Sequence, residues 1–401
     1  MMQARAARVC LLALIALSFA VSAGELQWKD IVAKARGQTV AFNAWAGDEK
    51  TNAFIAWIAA EVEWRYGVTV HHVKLRDTAE AVTRIVAERS AGRDAGGTVD
   101  LLWLNGPNLL ALKEQRLLYG PFAATLPNYR YVDTTHIRSN VVDFTLPVDG
   151  FASPWRRAQI VCVYDAARID DVPHSMQQLL AWAKRHPGRT THPSVRNFLG
   201  VTFLKQALYE LAQNRAALQM PANDATFDEN SAPLWRWYDD LRPLLWRRGE
   251  QFPDSGPAQR QLLNDGEIDL MMSFSPAEAA VAQAAGQLPA SVRTVVFDGG
   301  TIGNTSFVAI PYNAAHKEGA MVVANFLLEP STQARAQDYR QIGALTVLDV
   351  DALPADARKL FDALPHHPAL AASADLRTPL PEPHPSWMTR LALQWERRYT
   401  K

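Results

Sequence analysis

The chain of 401 residues balances 41 basic against 41 acidic side chains, so its charge favours neither nucleic acid nor an anionic membrane as a partner. A hydrophobic share of 48% and a charged share of 20% are those of a globular protein, long enough for two domains of roughly 150–200 residues each. Two cysteines supply no disulfide framework, and the fold must rest on its core.

The first 23 residues read as a secretory signal. Residues 1–8 hold Arg5 and Arg8 and no acid, 9–20 are apolar but for Ser18, and Val21-Ser22-Ala23 offers the small residues a signal peptidase requires. The apolar run is short against the roughly 20 residues of a spanning helix, though a membrane anchor is the alternative. Cleavage after Ala23 removes Cys10 and leaves 39 basic against 41 acidic residues. Cys162 then stands alone in an apolar run, the setting of a buried small hydrophobe rather than a nucleophile.

Strand-like and helix-like runs alternate beyond the signal, the pattern of an α/β fold in two lobes. Residues 39–45 read as a strand and 47–50 as a polar loop. In 51–66, Ile55, Ile58, Ala59, Val62 and Tyr66 share one helix face, closed by Gly67. A second strand covers 68–74, and Asp77-Thr78-Ala79-Glu80 has the form of a capping box. The run 99–104 is apolar enough for the centre of a parallel sheet, and Gly106-Pro107 opens the next helix. Later come a helix from 175 to about 188, a short run at 189–192 and a helix over 201–211. A strand at 268–272 turns through Ser273-Phe274-Ser275 into a helix over 276–285. Strands follow at 292–297 and 306–310, then a helix at 320–328, a proline-rich tail and an amphipathic stretch at 387–398.

Ligands of open α/β sheets sit outside the carboxyl ends of the strands. The loops 46–51, 105–108, 192–197 and 273–275 occupy that position, and they make one site if they face a common cleft. Trp45, Trp155 and Phe274 are candidates for its aromatic walls, suited to flat or cationic ligands. Trp103 falls inside the buried-strand run, where core packing is favoured. Asp48 could pair with a cationic ligand, although capping the helix that follows is the favoured reading. Arg156 and Arg196 offer forks for a carboxylate or phosphate, or surface ion pairs. Asn197, Ser273 and Ser275 sit at probable helix starts, where backbone N–H groups hold anions; Asn105, Asn304 and Thr305 complete the set. The acids and aromatics suggest a cationic ligand and the arginines an anionic one; a zwitterion or a phosphorylated heterocycle satisfies both.

Catalytic signals are missing. No G-x-S-x-G elbow occurs, and the turn at Ser273 lacks the glycine a nucleophile elbow needs. His71 and His72 are strand neighbours that point to opposite faces. No catalytic residue, metal or cofactor is expected.

Several segments resemble, in order and spacing, the solute-binding proteins of ABC transporters. Gln159-Ile160-Val161-Cys162-Val163-Tyr164-Asp165 is similar to their first lobe crossing. Gly266-Glu267-Ile268-Asp269-Leu270, followed by Ser273-Phe274-Ser275, is similar to their G-E-x-D strand and turn. Gly303-Asn304-Thr305-Ser306-Phe307 resembles their return strand, and Ala324-Asn325-Phe326-Leu327-Leu328-Glu329-Pro330 their late helix. Within that class the chain resembles the YnjB-like group, related to the thiamine, polyamine and iron binders. The resemblance implies a two-lobed, type II periplasmic-binding-protein fold with the ligand cleft between lobes. It implies an N-terminal lobe of 24–150 plus 301–401 and a second lobe of 151–300. It also implies a periplasmic monomer that closes on a small-molecule solute and delivers it to separate permease and ATPase subunits. A secreted α/β hydrolase and a periplasmic ligand sensor are the alternatives.

Overall fold

The computed structural model describes residues 27–372, 376 and 379–400; the signal read in 1–23 lies outside them. The strands of the two main sheets are β1 (Thr39–Trp45), β2 (Thr69–Leu75), β3 (Leu101–Leu104), β4 (Ala152–Gln159), β5 (Val161–Asp165), β6 (Leu270–Ser273), β7 (Val292–Val295) and β8 (Gly303–Ala309). The helices that follow β1 are α1 (Glu49–Tyr66), α2 (Ala79–Ser90), α3 (Pro107–Glu114), α4 (Met176–Arg185), α5 (Phe198–Leu211), α6 (Asp224–Leu241), α7 (Gly256–Asn264), α8 (Glu278–Ala284), α9 (Lys317–Leu327), α10 (Pro330–Gln337), α11 (Ala355–Asp362) and α12 (Pro385–Tyr399).

Local chemistry sets many of these boundaries. Asp48, in extended conformation, accepts the Thr51 N–H at 2.8 Å and starts α1, and Gly67 ends it with φ 65° and ψ 31°. At 77–80 the reciprocal cap forms on Asp77. Its carboxylate takes the Ala79 N–H, and Glu80 reaches back to the N–H groups of Arg76 and Asp77. Ser175 accepts the Gln178 N–H and opens α4. Asn197 accepts the Leu199 N–H, so α5 begins at Phe198, three residues before the expected start.

The first sheet has the order β2-β1-β3-β8-β4. β1 lies parallel to β2 and β3, whereas β8 is antiparallel to β3 and β4. Phe42, Ile55, Ile58, Val308 and Phe326 belong to its principal core. The second sheet, β6-β5-β7, is antiparallel, and the short run at 189–192 joins its edge through a Thr190–Leu270 bridge. Its core packs Trp182, Phe203, Leu208 and Tyr238. The helices α6 and α7 fill 212–267, a stretch that strand and helix patterning left unassigned.

The sheets divide the chain differently from the expected boundaries at 151 and 301. β4 bonds along β8 in the first sheet, so the chain passes to the second lobe at Ile160. One extended segment serves both sheets, and no break in its sequence marks the passage. The Ile160 N–H donates to Ile302 O at 2.8 Å, and the Leu380 N–H to Thr301 O at 2.8 Å. Three extended stretches therefore lie side by side at the junction. Beyond it, α12 presses Trp387, Leu391 and Trp395 into the second core, although the tail was expected with the first lobe. Apolar area decides this, because an amphipathic helix follows the face that buries it.

Candidate functional site

A cleft of about 880 Å³ opens between the two sheets. It is lined where α1, α2, α3, α5, α7 and α8 begin, so several helix N-termini and their partial positive charge converge on it. This follows from the α/β architecture, in which strand ends run into helix starts on one side of each sheet. Gly106, ahead of α3, has φ 55°, and a Cβ there would meet the Phe144 ring at 2.8 Å; only glycine fits.

The structure brings ten of the twelve sequence-derived candidates to this cleft. Trp45, Asp48, Asn105, Arg156 and Asn304 line it from the first lobe. Arg196, Asn197, Ser273, Phe274 and Ser275 line it from the second. Asp48 and Asn197 are at the same time the caps of α1 and α5. Arg196 points along the surface to Glu396 of α12 at 2.8 Å and stays largely exposed.

Trp155 and Thr305 lie elsewhere. Trp155 is 1% exposed and sits in the first core. The register of β4 on β8 pairs Pro154 with Phe307 and Arg156 with Ser306, so Trp155 is the extra residue of a bulge and turns inward. Trp103 takes its place on the wall, edge-on to Trp155 at 4.9 Å and to Trp45 at 6.4 Å. The preference for a core position at Trp103 is thus corrected. Its strand is apolar, but the side chain emerges at the strand end. Thr305 is 1% exposed, its hydroxyl 2.9 Å from Ser139 Oγ and 3.1 Å from Asn140 Oδ1. Strand alternation gives the cleft to Asn304 and Ser306 instead.

Sequence reading also passed over Phe198, Arg260 and Met272, which line the second wall. Asn197 as a cap was the available signal for Phe198, since the next residue starts the helix. Phe198 meets Phe274 edge-on at 5.3 Å. Arg260 pairs with Glu278 at 2.7 Å, and the Ser273 hydroxyl donates to the same carboxylate at 3.3 Å while accepting the Ser275 N–H. Ser273 is thereby held in a structural turn with no histidine beside it in this bonding.

Arg156 is different from these. Its guanidinium carbon lies 5.3 Å from the Trp103 ring centre and 5.5 Å from that of Trp155. Its Nε is buried without a hydrogen-bond partner, and no carboxylate stands within 4.0 Å among the described residues. Burial lowers its pKa to about 10, with Asp48 pulling the other way, and the group remains a cation at neutral pH.

Two α/β lobes around a polar and aromatic cleft, joined by extended segments, define a solute-binding protein. Residues 57–361 match the family described as bacterial extracellular solute-binding protein, and the chain belongs to that family. It is 42% identical over 391 residues to Protein YnjB of Escherichia coli (strain K12), covering 97% of this chain and 98% of that one. Among solved structures, the Tp0655 (TpPotD) lipoprotein of Treponema pallidum is similar, with a TM-score of 0.65 at 14% identity over 90% of this chain and 99% of that one. The periplasmic binding protein AfuA of Actinobacillus pleuropneumoniae, solved with fructose-6-phosphate, gives 0.62 at 14% identity over 90% and 98%. These likenesses confirm the two-lobed periplasmic-binding-protein fold. The family is described as one of extracellular solute-binding proteins, which agrees with the cleft between the two lobes.

Proposed function

We propose that the mature chain, freed by cleavage after Ala23, works as a monomer in the periplasm. It captures a small organic solute in the interlobe cleft and hands it to its permease. The observation that carries this reading is the cleft itself, whose two walls belong to separate sheets linked at the junction by the extended segments at Ile160, Ile302 and Leu380. Side chains on both walls can meet one solute only when the lobes close, so the solute stabilises the closed form that docks on the permease. Asp48, Asn105, Asn197, Phe274 and Asn304 are the proposed contacts, together with Trp45.

A thermal-shift screen of the chain from residue 24 onward tests it. The panel holds carboxylates, organophosphates, amino acids, sugars, polyamines, thiamine and metal salts. A ligand of the native state adds about 2.7 kcal/mol at one hundred times its Kd. A saturable shift without consumption of the solute is the expected result. A solute consumed during incubation would overturn the reading in favour of a secreted hydrolase.

A further inference from the structure

Resting on the solute-binding reading, we propose that the captured solute carries an oxyanion, a carboxylate or phosphate group, that seats on Arg156. Its flat or apolar remainder lies against Trp45, Trp103 and Phe274.

The charges that line the cleft separate into committed and free groups. Glu278 holds Arg260, Glu396 holds Arg196, and Lys50 donates to Arg340 O at 3.3 Å. Arg76 stands exposed at the rim. Arg156 alone combines enclosure, access to the cleft and an unpartnered fork among the described residues. Such a cation, drawn out of water and left unpaired, is costly unless something else supplies the counter-charge.

No acid pairs with it directly; Asp48 acts on it only from beyond ion-pair distance. Asp48 already accepts the Thr51 N–H as the cap of α1, and Asp77 does the same for Ala79 at the start of α2. Neither forms an ion pair with Arg156. The same commitments weigh against a cationic solute, since three of the four carboxylates lining the cleft are engaged by helix starts or by Arg260 and only the exposed Asp254 is free of such bonds among the described residues.

The seat is also preorganised. The ring centres of Trp103 and Trp155 lie 5.3 and 5.5 Å from the guanidinium carbon, within cation–π range, and no protein group occupies its fork among the described residues, which leaves the fork open to bidentate contact. Ser306 stands opposite Arg156 in the strand register and lines the cleft, its hydroxyl having no partner among the described residues. A guanidinium fork with a hydroxyl across from it suits a group with two or three oxygens.

The test uses the mature protein, with tryptophan fluorescence as the readout because three indoles surround the seat. Sodium benzoate, phenyl phosphate and inorganic phosphate are titrated at constant ionic strength, each against chloride. Benzamide and phenol are the uncharged controls. The expected result is saturable quenching or enhancement by an oxyanion and none by its uncharged control. Arg156→Gln should weaken that binding by about tenfold to a hundredfold, and Arg156→Lys should recover part of it. Preference for benzoate over the phosphates identifies a carboxylate solute, and the reverse a phosphorylated one. Unchanged thermal melts of both variants show that the fold survives. Oxyanion binding absent from the wild type, or equal in Arg156→Gln, overturns the proposal. A neutral or cationic hit in the thermal-shift screen whose affinity ignores Arg156→Gln would remove the anion seat alone. An empty screen together with silent oxyanions would remove the solute-binding reading as well.

Discussion

The Lys205 ammonium lies 2.6 Å from the Glu382 carboxylate, with neither side chain open to solvent. Lys205 belongs to α5 of the second lobe, and Glu382 to the tail just past its bonds with the lobe junction. The ammonium also sits 4.8 Å from the rings of both Phe144 and Phe198. The other Glu382 oxygen accepts from Asn304 Nδ2 at 2.9 Å, so the pair reaches a residue of the cleft wall. Burial lowers the Lys205 pKa and raises that of Glu382, and each partner's charge opposes the shift of the other.

Removing one member leaves a buried charge without its partner. Lys205→Met or Glu382→Gln is therefore expected to lower stability by about 3–5 kcal/mol. The double variant Lys205→Met/Glu382→Leu should recover most of the loss, because a buried pair replaced by apolar groups is often close to neutral. Urea denaturation of the three variants measures the coupling. Losses that simply add would show that the two side chains act separately.

Asp143 brings a second carboxylate to this one ammonium. One of its oxygens accepts the Gly106 N–H, and the other is buried with no partner. Burial pushes its pKa well above the usual carboxylate range; the Gly106 N–H and Lys205 oppose the rise and Glu382 adds to it. The native chain thus keeps a proton that the unfolded chain releases above about pH 4. Between the unfolded pKa and the raised native one, stability falls as pH rises. Asp143→Asn has no proton to lose, so its stability relative to wild type should climb from pH 5 to pH 8. Urea midpoints at three pH values check this; a difference that stays constant would show that Asp143 does not titrate in that window.

Asp269, the acid of the Gly266–Leu270 segment, is a fastener of the second lobe. Arg189 Nε donates to it at 2.6 Å and Arg168 Nη1 at 3.3 Å. Burial would raise its pKa, but the bonds from Arg189 and Arg168 prevail and hold it below the usual range. Its contribution is complete above about pH 4 and is lost as pH falls through the depressed native value. Asp269→Asn should cost about 2 kcal/mol at pH 7 and leave solute affinity unchanged. A loss of affinity without a loss of stability would move Asp269 from the scaffold to the site.

The two neighbouring tryptophans should separate by readout. Trp155→Ala empties a buried site beneath Trp103 and should cost about 3–5 kcal/mol of stability. Trp103→Ala trims a half-exposed wall and should weaken solute binding with a much smaller change in melting temperature. Paired melts and titrations decide, and the opposite assignment would return Trp155 to the site.

Much of this was legible before the fold. The caps Asp48, Ser175 and Asn197 and the stop at Gly67 act within four residues of themselves, so their chemistry is visible in the letters. Loops between strand ends and helix starts pointed to the cleft for the same reason. Trp155 and Thr305 were misplaced because facing along β4 and β8 depends on a bulge between Ser306 and Phe307 that no local pattern announces. The division into lobes failed at β4, where one unbroken extended run bonds to two sheets in turn.

What the amino-acid order determined alone is therefore short-ranged: helices with their caps, apolar strands, and the polar loops that must lie where the two meet. Tertiary structure decided which charges are paired. Lys205 and Glu382 lie 177 residues apart, and Arg196 and Glu396 lie 200 apart. An ion pair in a folded protein is set by distance in space, and chain separation carries almost no information about it. Arg156 shows the same point from the other side. In the sequence it is one arginine beside another; only the packing of Trp103 and Trp155 around it, with no acid within ion-pair distance, leaves it as an enclosed and unpaired cation of the cleft among the described residues.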